Sequence, residues 1–487
     1  MSLSVNESSA VDRFRAIVGD ANVISSRDQM LVYECDGFPI AKGLPTCVVF
    51  PTSTQQVVDC VKVAAQFDLP IVPRGSGTGL AGSAVAYGEG VLLTTSRMNQ
   101  IEEIDVKNRF AVVQAGVRNL ALTDAVIHTG LRFSPDPSSQ RAATIGGNYA
   151  TNAGGINTLK HGVTANHVLG VEMVLADGSV ITTRIGGLCD GVGGDLPGLL
   201  CGAEGTFGII TKLWCKLVPN PRFFRTFYAV FNSTQDACKS VSDVIACGIV
   251  PTSMEMMDGE MIRIVEDAFH FGFPTDAQSL LLLEVDGIDQ LLDEQMASIV
   301  EIARSNGAQD IKMCGDAKRR AELWSARKKA FGAIGRISHS YCTQDACVPR
   351  SMLPVVMEEM GRIGRKYGVR ITNVFHAGDG NIHPILLFDE DKPEEVQRTL
   401  RMSEEILEYC ISIGGTITGE HGVGVEKLHL MDKMFNSATI DTFQKIKKTF
   451  DPQQRLNDGK HIPSDRLKIE LLTPLKNQAG GALVTQV

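Results

Sequence analysis

The sequence of 487 residues has no apolar run that approaches the roughly 20 residues needed to span a bilayer. Its first nine residues have neither a basic start nor an apolar centre, so we expect no signal peptide. No run of Lys and Arg is longer than three residues and the net charge is −9, which argues against nucleic acid or an anionic membrane as the main partner. These absences favour a cytoplasmic protein.

Cysteine also shows no functional pattern. The 12 cysteines are scattered singly, without the spacing of a disulfide framework, a Cys-x-x-Cys motif or an iron–sulfur signature. We therefore expect reduced cysteines that fill the core.

A chain of this length is expected to form two or more domains. Strands and amphipathic helices both occur, which predicts the α+β class, with an antiparallel sheet covered by helices in the second half. Pro219-Asn-Pro221 is a strong break, after which the pattern changes. We predict a helical lead-in, a cofactor-binding domain, a substrate domain and a loose tail, with boundaries at 1–42, 43–222, 223–461 and 462–487.

Short patterns predict the elements of the first half. Cys47-Val-Val-Phe50 and Pro70-Ile-Val-Pro73 are typical of buried strands, and a helix capped by Pro51-Thr-Ser-Thr54 lies between them. Asp177-Gly178 predicts the turn of a hairpin over 167–183. In the second half we predict a strand at 280–285 and helices at 354–367, 394–411 and 437–450.

Glycine is abundant, at 48 residues, and clusters in four segments of the first half, at 73–83, 143–148, 152–155 and 200–210. Consecutive residues without Cβ let their backbone amides converge on an anion. The first segment does not open a helix after the first strand, so it is not the dinucleotide fingerprint. The pattern favours a long nucleotide with a diphosphate, laid across several loops. The alternative is a glycine-rich fold with tight hairpins.

Histidine is scarce, at 10 residues, yet three histidines lie in two short glycine-rich motifs of the last quarter. These motifs are His376-Ala-Gly-Asp-Gly-Asn-Ile-His383 and Gly419-Glu-His-Gly-Val-Gly424. Two imidazoles and a carboxylate suit a borderline divalent metal such as zinc, iron or manganese, with a position left open for substrate. We predict His376, His383 and Glu420 as metal ligands, and His421 as the general base beside them. The alternative is that these histidines are ordinary buried or loop residues.

The order of the motifs along the chain resembles that of a known protein superfamily. Pro-Arg-Gly-x-Gly-Thr, Pro-Asp-Pro-Ser-Ser, Thr-Ile-Gly-Gly-Asn, Asn-Ala-Gly-Gly and Glu-Gly-Thr-x-Gly-Ile resemble the FAD-binding half of the vanillyl-alcohol-oxidase/p-cresol-methylhydroxylase (PCMH) flavoprotein superfamily. The two histidine motifs are similar to those of its D-2-hydroxyacid dehydrogenase branch, above all the glycolate oxidase flavin subunits and the D-lactate dehydrogenases. The resemblance covers about residues 20–461.

The resemblance implies a PCMH-type FAD domain and a C-terminal FAD-linked oxidase domain. Many superfamily members hold FAD covalently through a His in the first glycine loop. Thr78 stands in that loop here and no His does, so non-covalent FAD is expected. The implied FAD contacts are Arg74, Gly75, Ser76, Gly77, Thr78, Gly79, Ser83, Pro135, Asp136, Ser138, Thr144, Gly146, Gly147, Asn148, Gly154, Gly155, Glu204, Gly205, Ile209 and Asn457.

The resemblance further implies FAD-dependent oxidation of a small 2-hydroxy acid, glycolate or D-lactate, to the 2-oxo acid. Arg327 matches the family's arginine for the substrate carboxylate; a solvated helix charge is the equal alternative, and Arg350 is a second candidate. A lysine of the 2-hydroxyglutarate branch is absent near Thr343, which favours a small monocarboxylate.

D-2-hydroxyglutarate dehydrogenase and a non-catalytic FAD-binding subunit stay open as alternatives. Electrons would pass to a quinone or to partner subunits, of which a second flavin-type subunit and an iron–sulfur subunit are implied. Such partners would also provide any attachment to a membrane.

Overall fold

The computed structural model describes residues 5–87, 90–183 and 194–464, together with 469–470 and 485–486. The predicted loose tail at 462–487 therefore lies mostly outside the described residues, as does Cys189. The cysteines that are described form no disulfide. None of the described helices is long and apolar enough to cross a membrane.

The helices are α1 Val5–Val18, α2 Arg27–Met30, α3 Thr54–Gln66, α4 Asn119–Val126, α5 Ile145–Thr151, α6 Thr158–His161, α7 Leu196–Leu200, α8 Thr234–Ala246, α9 Gly259–Phe269, α10 Asp289–Ser305, α11 Ala317–Ile334, α12 Leu353–Tyr367, α13 Pro393–Ser412, α14 Met431–Met434 and α15 Ser437–Phe450. Short 3-10 helices lie at Asp20–Asn22, Leu31–Tyr33, Thr95–Arg97, Ile127–Thr129, Thr164–His167, Arg350–Met352 and Leu428–Leu430.

The strands are β1 Val23–Ile24, β2 Cys47–Val49, β3 Ile71–Arg74, β4 Val91–Thr94, β5 Ile101–Asp105, β6 Phe110–Gln114, β7 Leu131–Arg132, β8 Val168–Val174, β9 Val180–Thr182, β10 Ile209–Lys216, β11 Val218–Pro219, β12 Phe223–Phe231, β13 Ser253–Asp258, β14 Ser279–Gly287, β15 Asp310–Met313, β16 Ser340–Thr343, β17 Ala346–Cys347, β18 Arg370–His376, β19 Asn381–Ile382, β20 Pro384–Phe388, β21 Ile469–Glu470 and β22 Thr485–Gln486.

The predicted local elements are confirmed to within a few residues. Ser53 caps α3, and its side chain accepts a hydrogen bond from the Gln56 amide, as the Ser-Thr pattern predicts. Strands β8 and β9 form the predicted hairpin, with Val174 opposite Val180. The helices α12, α13 and α15 begin and end within one residue of their predicted bounds. Periodicity and capping residues therefore located these elements without tertiary information.

The chain forms two compact units. The first consists of Met1–Gly154, Val163–Asn220 and Glu420–Val487, and the second of Gly155–Gly162 and Pro221–Gly419. Each unit has its own sheets and its own buried clusters, so each is described separately.

The first unit contains a small sheet in the order β1-β2-β4-β3, in which β4 pairs in parallel with β2 and β3. The apolar faces of α1 and α3 pack against it in one core, with Phe14, Val57 and Leu93 fully buried. A second, antiparallel sheet has the order β5-β6-β10-β8-β9. Ile71 forms a parallel bridge with Leu456, which brings the segment after α15 to the end of β3.

The second unit is built on one antiparallel sheet in the order β15-β12-β14-β13-β18-β19-β17, with β20 pairing β18 and β16. Leu280 and Leu282 of β14 pack in a core with α9 and α11. Leu281 and Leu283 are also buried, and alternation along a strand points them to the opposite face. Both faces of this sheet are therefore covered, which explains its long apolar strands.

Candidate active site

The first glycine loop follows β3 and is braced by Arg74. The guanidinium is buried and donates to the carbonyls of Ala84 and Cys35 at 3.0 and 2.9 Å. Gly77 has φ +70, and a Cβ there would overlap this guanidinium. Arg74 thus ties the two ends of the loop together, and the loop passes so close to it that only glycine fits at position 77.

The amides of this loop are open. Among the residues that the structure describes, no amide from Ser76 to Ser83 donates to a protein acceptor. Gly75 lies against Thr144, the residue that caps α5 through the Gly147 amide. A run of free amides in a glycine-rich turn is a binding site for phosphate oxygens.

Two buried polar atoms near α5 also lack partners in the described part of the chain. They are Nδ2 of Asn148 and Oγ of Ser134. Gly146 approaches Ala115 so closely that a Cβ would lie 2.7 Å from the Ala115 Cβ. Buried polar atoms without partners are costly unless a ligand satisfies them. Open amides, orphaned polar atoms and close backbone approach together fit a polar, extended cofactor such as FAD.

A buried cluster from the C-terminal segment holds the end of the same loop. Nδ2 of Asn457 donates to the carbonyls of Ser83 and Glu204 at 2.9 and 2.6 Å. Nζ of Lys460 donates to the carbonyls of Ser83 and Val85 and to Oδ1 of Asn457. Burial lowers the pKa of Lys460 to about 7, against the opposing effect of Asp36 and Glu204. The predicted residue Asn457 therefore reaches the glycine loop, and Lys460 was not predicted.

Glu204 has a role that the sequence does not reveal. Its fully buried carboxylate accepts from the amides of Val423 and Gly424 at 2.6 and 2.9 Å, and it lies 3.1 Å from Nδ1 of His461. A Cβ on Gly422 would lie 2.5 Å from its Oε1. The side chain thus fixes the segment directly after His421, and its contact with FAD stays a prediction.

Other predicted cofactor residues occupy varied positions. Thr144 and Ile209 are buried, and Ile209 packs in the core beneath the first sheet. Ser138 is exposed. The Pro135 carbonyl accepts from Asn119 at 2.8 Å, and Gly205 has φ +76 and packs on Pro73.

The predicted ligand Glu420 and the predicted base His421 belong to the first unit. Both side chains are nearly buried, and Nε2 of His421 lies 3.8 Å from Oε1 of Glu420. Oε2 of Glu420 accepts a hydrogen bond of 3.1 Å from the amide of Gly154. The Asn-Ala-Gly-Gly motif, predicted to bind the cofactor, is therefore in contact with the predicted metal ligand.

The other two predicted ligands belong to the second unit. His376 ends β18 and pairs with Asn381, and a tight turn at Gly380 (φ +81) brings His383 back beside it. The two rings are buried, with centroids 5.1 Å apart. Nδ1 of His376 contacts Glu255 at 2.6 Å, and Nδ1 of His383 contacts the Gln344 carbonyl at 3.2 Å. Partners at Nδ1 orient imidazoles that bind a metal through Nε2.

Arg327 is buried, with 1% of its side chain exposed, so the alternative of a solvated helix charge is wrong. Its Nε donates to Glu255 at 2.6 Å. Its Nη1 is buried without a hydrogen-bond partner among the described residues. Burial acts to raise the pKa of the Glu255 carboxyl, but Arg327 and His376 outweigh it and the pKa lies below its usual range. Glu255 was missed because it lies inside an apolar strand rather than in a motif.

Residues around the histidine turn support its shape. Oδ1 of Asp379 accepts from the Asn381 amide at 3.1 Å, as ordinary turn chemistry predicts. Nη1 of Arg350 donates to the Gly378 carbonyl at 3.3 Å, so this second arginine braces the turn. Oγ1 of Thr343 is buried and has no partner in the described residues.

Two family models match most of the chain. A family model described as "FAD binding domain" matches residues 45–184, and one described as "FAD linked oxidases, C-terminal domain" matches residues 220–461. The glycolate oxidase subunit GlcD of Escherichia coli (strain K12) is 42% identical over 460 residues, which cover 94% of this chain and 92% of that protein.

A D-lactate dehydrogenase of Archaeoglobus fulgidus is 33% identical over 416 residues, which cover 85% of this chain and 91% of that protein. The crystal structure of p-cresol methylhydroxylase with substrate bound is 20% identical, with a TM-score of 0.79 over 94% of this chain and 98% of that chain. This likeness confirms the expected α+β, PCMH-type fold.

Proposed function

Because this chain belongs to the family of FAD-linked oxidases that contains glycolate oxidase subunits and D-lactate dehydrogenases, we propose that it oxidises glycolate or D-lactate to the 2-oxo acid. One observation in the second unit carries the proposal. A buried arginine with an open Nη1 and a buried imidazole share the carboxylate of Glu255. This arrangement offers a guanidinium that can bind a substrate carboxylate, next to a histidine that is a predicted metal ligand.

FAD, when bound, supplies the acceptor for the hydride of the substrate's C2. The open amides of Ser76 to Ser83 would hold its diphosphate, and Asn148 would satisfy its buried Nδ2 on the cofactor. Asn457 and Lys460 keep the end of this loop in place. No residue of the loop is a histidine, so the cofactor is held without a covalent bond through this loop.

A divalent cation held by His376, His383 and Glu420 would bind the substrate hydroxyl and lower its pKa. Within the second unit, the amide of Gly419 is fixed by Asp345, and a Cβ on Gly419 would lie 2.6 Å from Cγ of Asn381. Glu420 is the next residue in the chain, and consecutive Cα atoms lie about 3.8 Å apart. The donor set of two imidazoles and one carboxylate suits zinc, iron or manganese.

His421 would take the proton of the hydroxyl, and Arg327 would hold the carboxylate. A neutral imidazole has a ring nitrogen that can accept a proton, which suits a general base. The segment after His421 is anchored by Glu204, so the ring is presented from a fixed backbone. The guanidinium fork matches a carboxylate in geometry and charge.

The small substrate is favoured over D-2-hydroxyglutarate because Thr343 carries no charge for a second carboxylate. A non-catalytic FAD-binding subunit is disfavoured. Burying the charges of Arg327 and Glu255 costs desolvation free energy, and such a subunit would have no substrate for Arg327 to bind. Electrons would leave to a quinone or to partner subunits. The Escherichia coli relative is itself named as a subunit, which supports partner subunits for this chain, and these would also provide any membrane association.

The test is anaerobic mixing of the purified flavoprotein with glycolate, D-lactate, L-lactate and D-2-hydroxyglutarate. Glycolate or D-lactate should bleach the visible flavin band most rapidly. Chelation should abolish the bleaching, and the returned metal should restore it. Fastest bleaching by D-2-hydroxyglutarate would favour that alternative, and bleaching by none of the acids would refute the dehydrogenase.

A further inference from the structure

The carboxylate of Glu255 is shared between two side chains that have different roles in the proposed reaction. Its Oε2 accepts from Nε of Arg327 and its Oε1 contacts Nδ1 of His376, each at 2.6 Å. The side chains of Glu255 and Arg327 are each 1% exposed, so water does not compete for these bonds. The buried carboxylate of Glu255 therefore connects His376, the predicted metal ligand, with Arg327, the predicted binding residue for the substrate carboxylate.

We propose that Glu255 is a positioning residue that fixes the spacing between His376 and Arg327 and thereby selects acids whose hydroxyl lies on C2. The inference rests on the proposed function, because it assigns the metal to His376 and the substrate carboxylate to Arg327.

The contact with His376 sets which ring nitrogen is free. An ionised carboxylate only accepts hydrogen bonds, so Nδ1 of His376 carries the proton and Nε2 keeps its lone pair for a cation. Glu255 and His376 are also opposite residues of the paired strands β13 and β18. The imidazole is therefore held through both its side chain and its backbone.

The contact with Arg327 sets which edge of the guanidinium is free. Nε is occupied by Glu255, while Nη1 has no partner among the described residues. Ala326 and Ala330, which precede and follow Arg327 in α11, are fully buried in the core of the second unit, and their packing holds the helix in its orientation. The open edge of the guanidinium thus faces one fixed direction.

The shared carboxylate of Glu255 restricts changes in the distance between His376 and Arg327. A 2-hydroxy acid places its hydroxyl and its carboxylate on adjacent carbons, and a 3-hydroxy acid separates them by one more carbon. If both binding groups are fixed, the 3-hydroxy acid cannot place its hydroxyl on the metal and its carboxylate on Arg327 at once without misplacing its reacting carbon. A displacement of about 1 Å at a reacting centre can cost about 100-fold in rate.

The test compares Glu255→Gln and Glu255→Asp with the wild-type holoenzyme. Gln cannot accept from both partners, and Asp keeps the charge but is one carbon shorter. Metal per chain is measured after gel filtration with a chelator, and the Kd of oxalate is measured from the flavin spectrum. Oxalate presents adjacent oxygens as a 2-hydroxy acid does but has no hydride to transfer. We expect Glu255→Gln to weaken both metal retention and oxalate binding by about 10- to 100-fold.

Selectivity is measured as the ratio of flavin reduction rates with lactate and its isomer 3-hydroxypropionate. Glu255→Asp should lower this ratio by about tenfold or more. Glu284→Gln is the matched control, since Glu284 is a buried carboxylate that binds Arg320 of the same helix α11. It should leave metal, oxalate binding and the ratio within about twofold of wild type.

Retention of both ligands by Glu255→Gln, or loss of only one of them, would overturn the shared positioning role. So would an unchanged ratio in Glu255→Asp, which still tests the proposal if the Gln variant does not fold. Failure of the proposed function itself is recognised separately, because wild type would then show no reduction by any 2-hydroxy acid.

Discussion

The carboxylate of Glu204 accepts a hydrogen bond of 2.6 Å from the amide of Val423, which lies 219 residues later in the chain. The second oxygen accepts from Gly424 at 2.9 Å. Hydrogen bonds to a buried charged group each contribute about 1.5–3 kcal/mol. This pair of bonds makes the position of the His421 segment depend on a residue from the glycine-rich half of the first unit.

Glu204→Gln should slow flavin reduction by about 10- to 100-fold, because an amide cannot accept from both backbone groups. FAD content should fall much less than the rate, because the bond that ties Glu204 to Asn457 and the glycine loop uses the backbone carbonyl of Glu204, which the substitution leaves in place. Hydrogen exchange of a peptide that covers 418–427 should become faster. Glu172→Gln is the control, since Glu172 accepts from Thr54 and Thr211 in the same unit and does not contact this segment. Loss of FAD with unchanged exchange at 418–427 would contradict this assignment.

Gly77→Ala should reduce FAD retention far more than Gly130→Ala. Both glycines have positive φ, +70 and +78, so both variants carry the backbone cost of about 1 kcal/mol. Only at Gly77 would the new Cβ displace the Arg74 guanidinium from its two carbonyl partners, whereas nothing lies within 4 Å at Gly130. FAD per chain after gel filtration measures the effect. Equal retention in the two variants would show that the shape of this loop does not govern binding.

The burial of Asp36 predicts that the free energy of unfolding depends on pH. Burial raises its pKa to about 6 from the ordinary value of 3.8, although the amides of Phe38 and Ala84 oppose the shift. A raised pKa in the folded state means that the stability associated with the neutral acid is present below about pH 4 and is lost as pH rises through 6. The loss amounts to about 3 kcal/mol at most.

Asp36→Asn should remove this dependence. The lost hydrogen bond changes the free energy of unfolding by a constant, whereas the titration disappears. The difference in unfolding free energy, wild type minus variant, should therefore fall between pH 4 and 7, as measured by urea unfolding at several pH values. A difference that is flat or that rises over this interval would show that Asp36 is not protonated in the folded protein near pH 5.

Arg327→Lys should weaken oxalate binding by about tenfold or more while FAD content stays unchanged, because lysine keeps the charge but lacks the planar fork. Arg320→Lys on the same helix is the control, since Arg320 pairs with Glu284 and is partly exposed. Equal effects of the two substitutions on oxalate binding would remove Arg327 from the substrate site.

The sequence predicted several elements of each unit, because capping residues such as Ser53 and the apolar periodicity of α12 and α13 act locally. It also singled out His376 and His383, because motif spacing is readable along the chain. It did not predict Glu255, Lys460 or the contacts of Glu204. The contacts of these buried groups depend on pairing between distant segments. Glu255 lies in an apolar strand and Glu204 in a glycine-rich stretch, and neither stretch gives a local sign of the partner.

The most direct test of the central proposal is rapid anaerobic mixing of the metal-loaded flavoprotein with glycolate and with glycolate that carries deuterium at C2. We expect complete bleaching of the flavin band, which is slower with the deuterated acid because the C2 hydride moves to the flavin. His421→Ala should keep the flavin spectrum and lose the bleaching. A wild-type protein that holds FAD and metal but is not bleached by glycolate or D-lactate would show that it does not oxidise these acids.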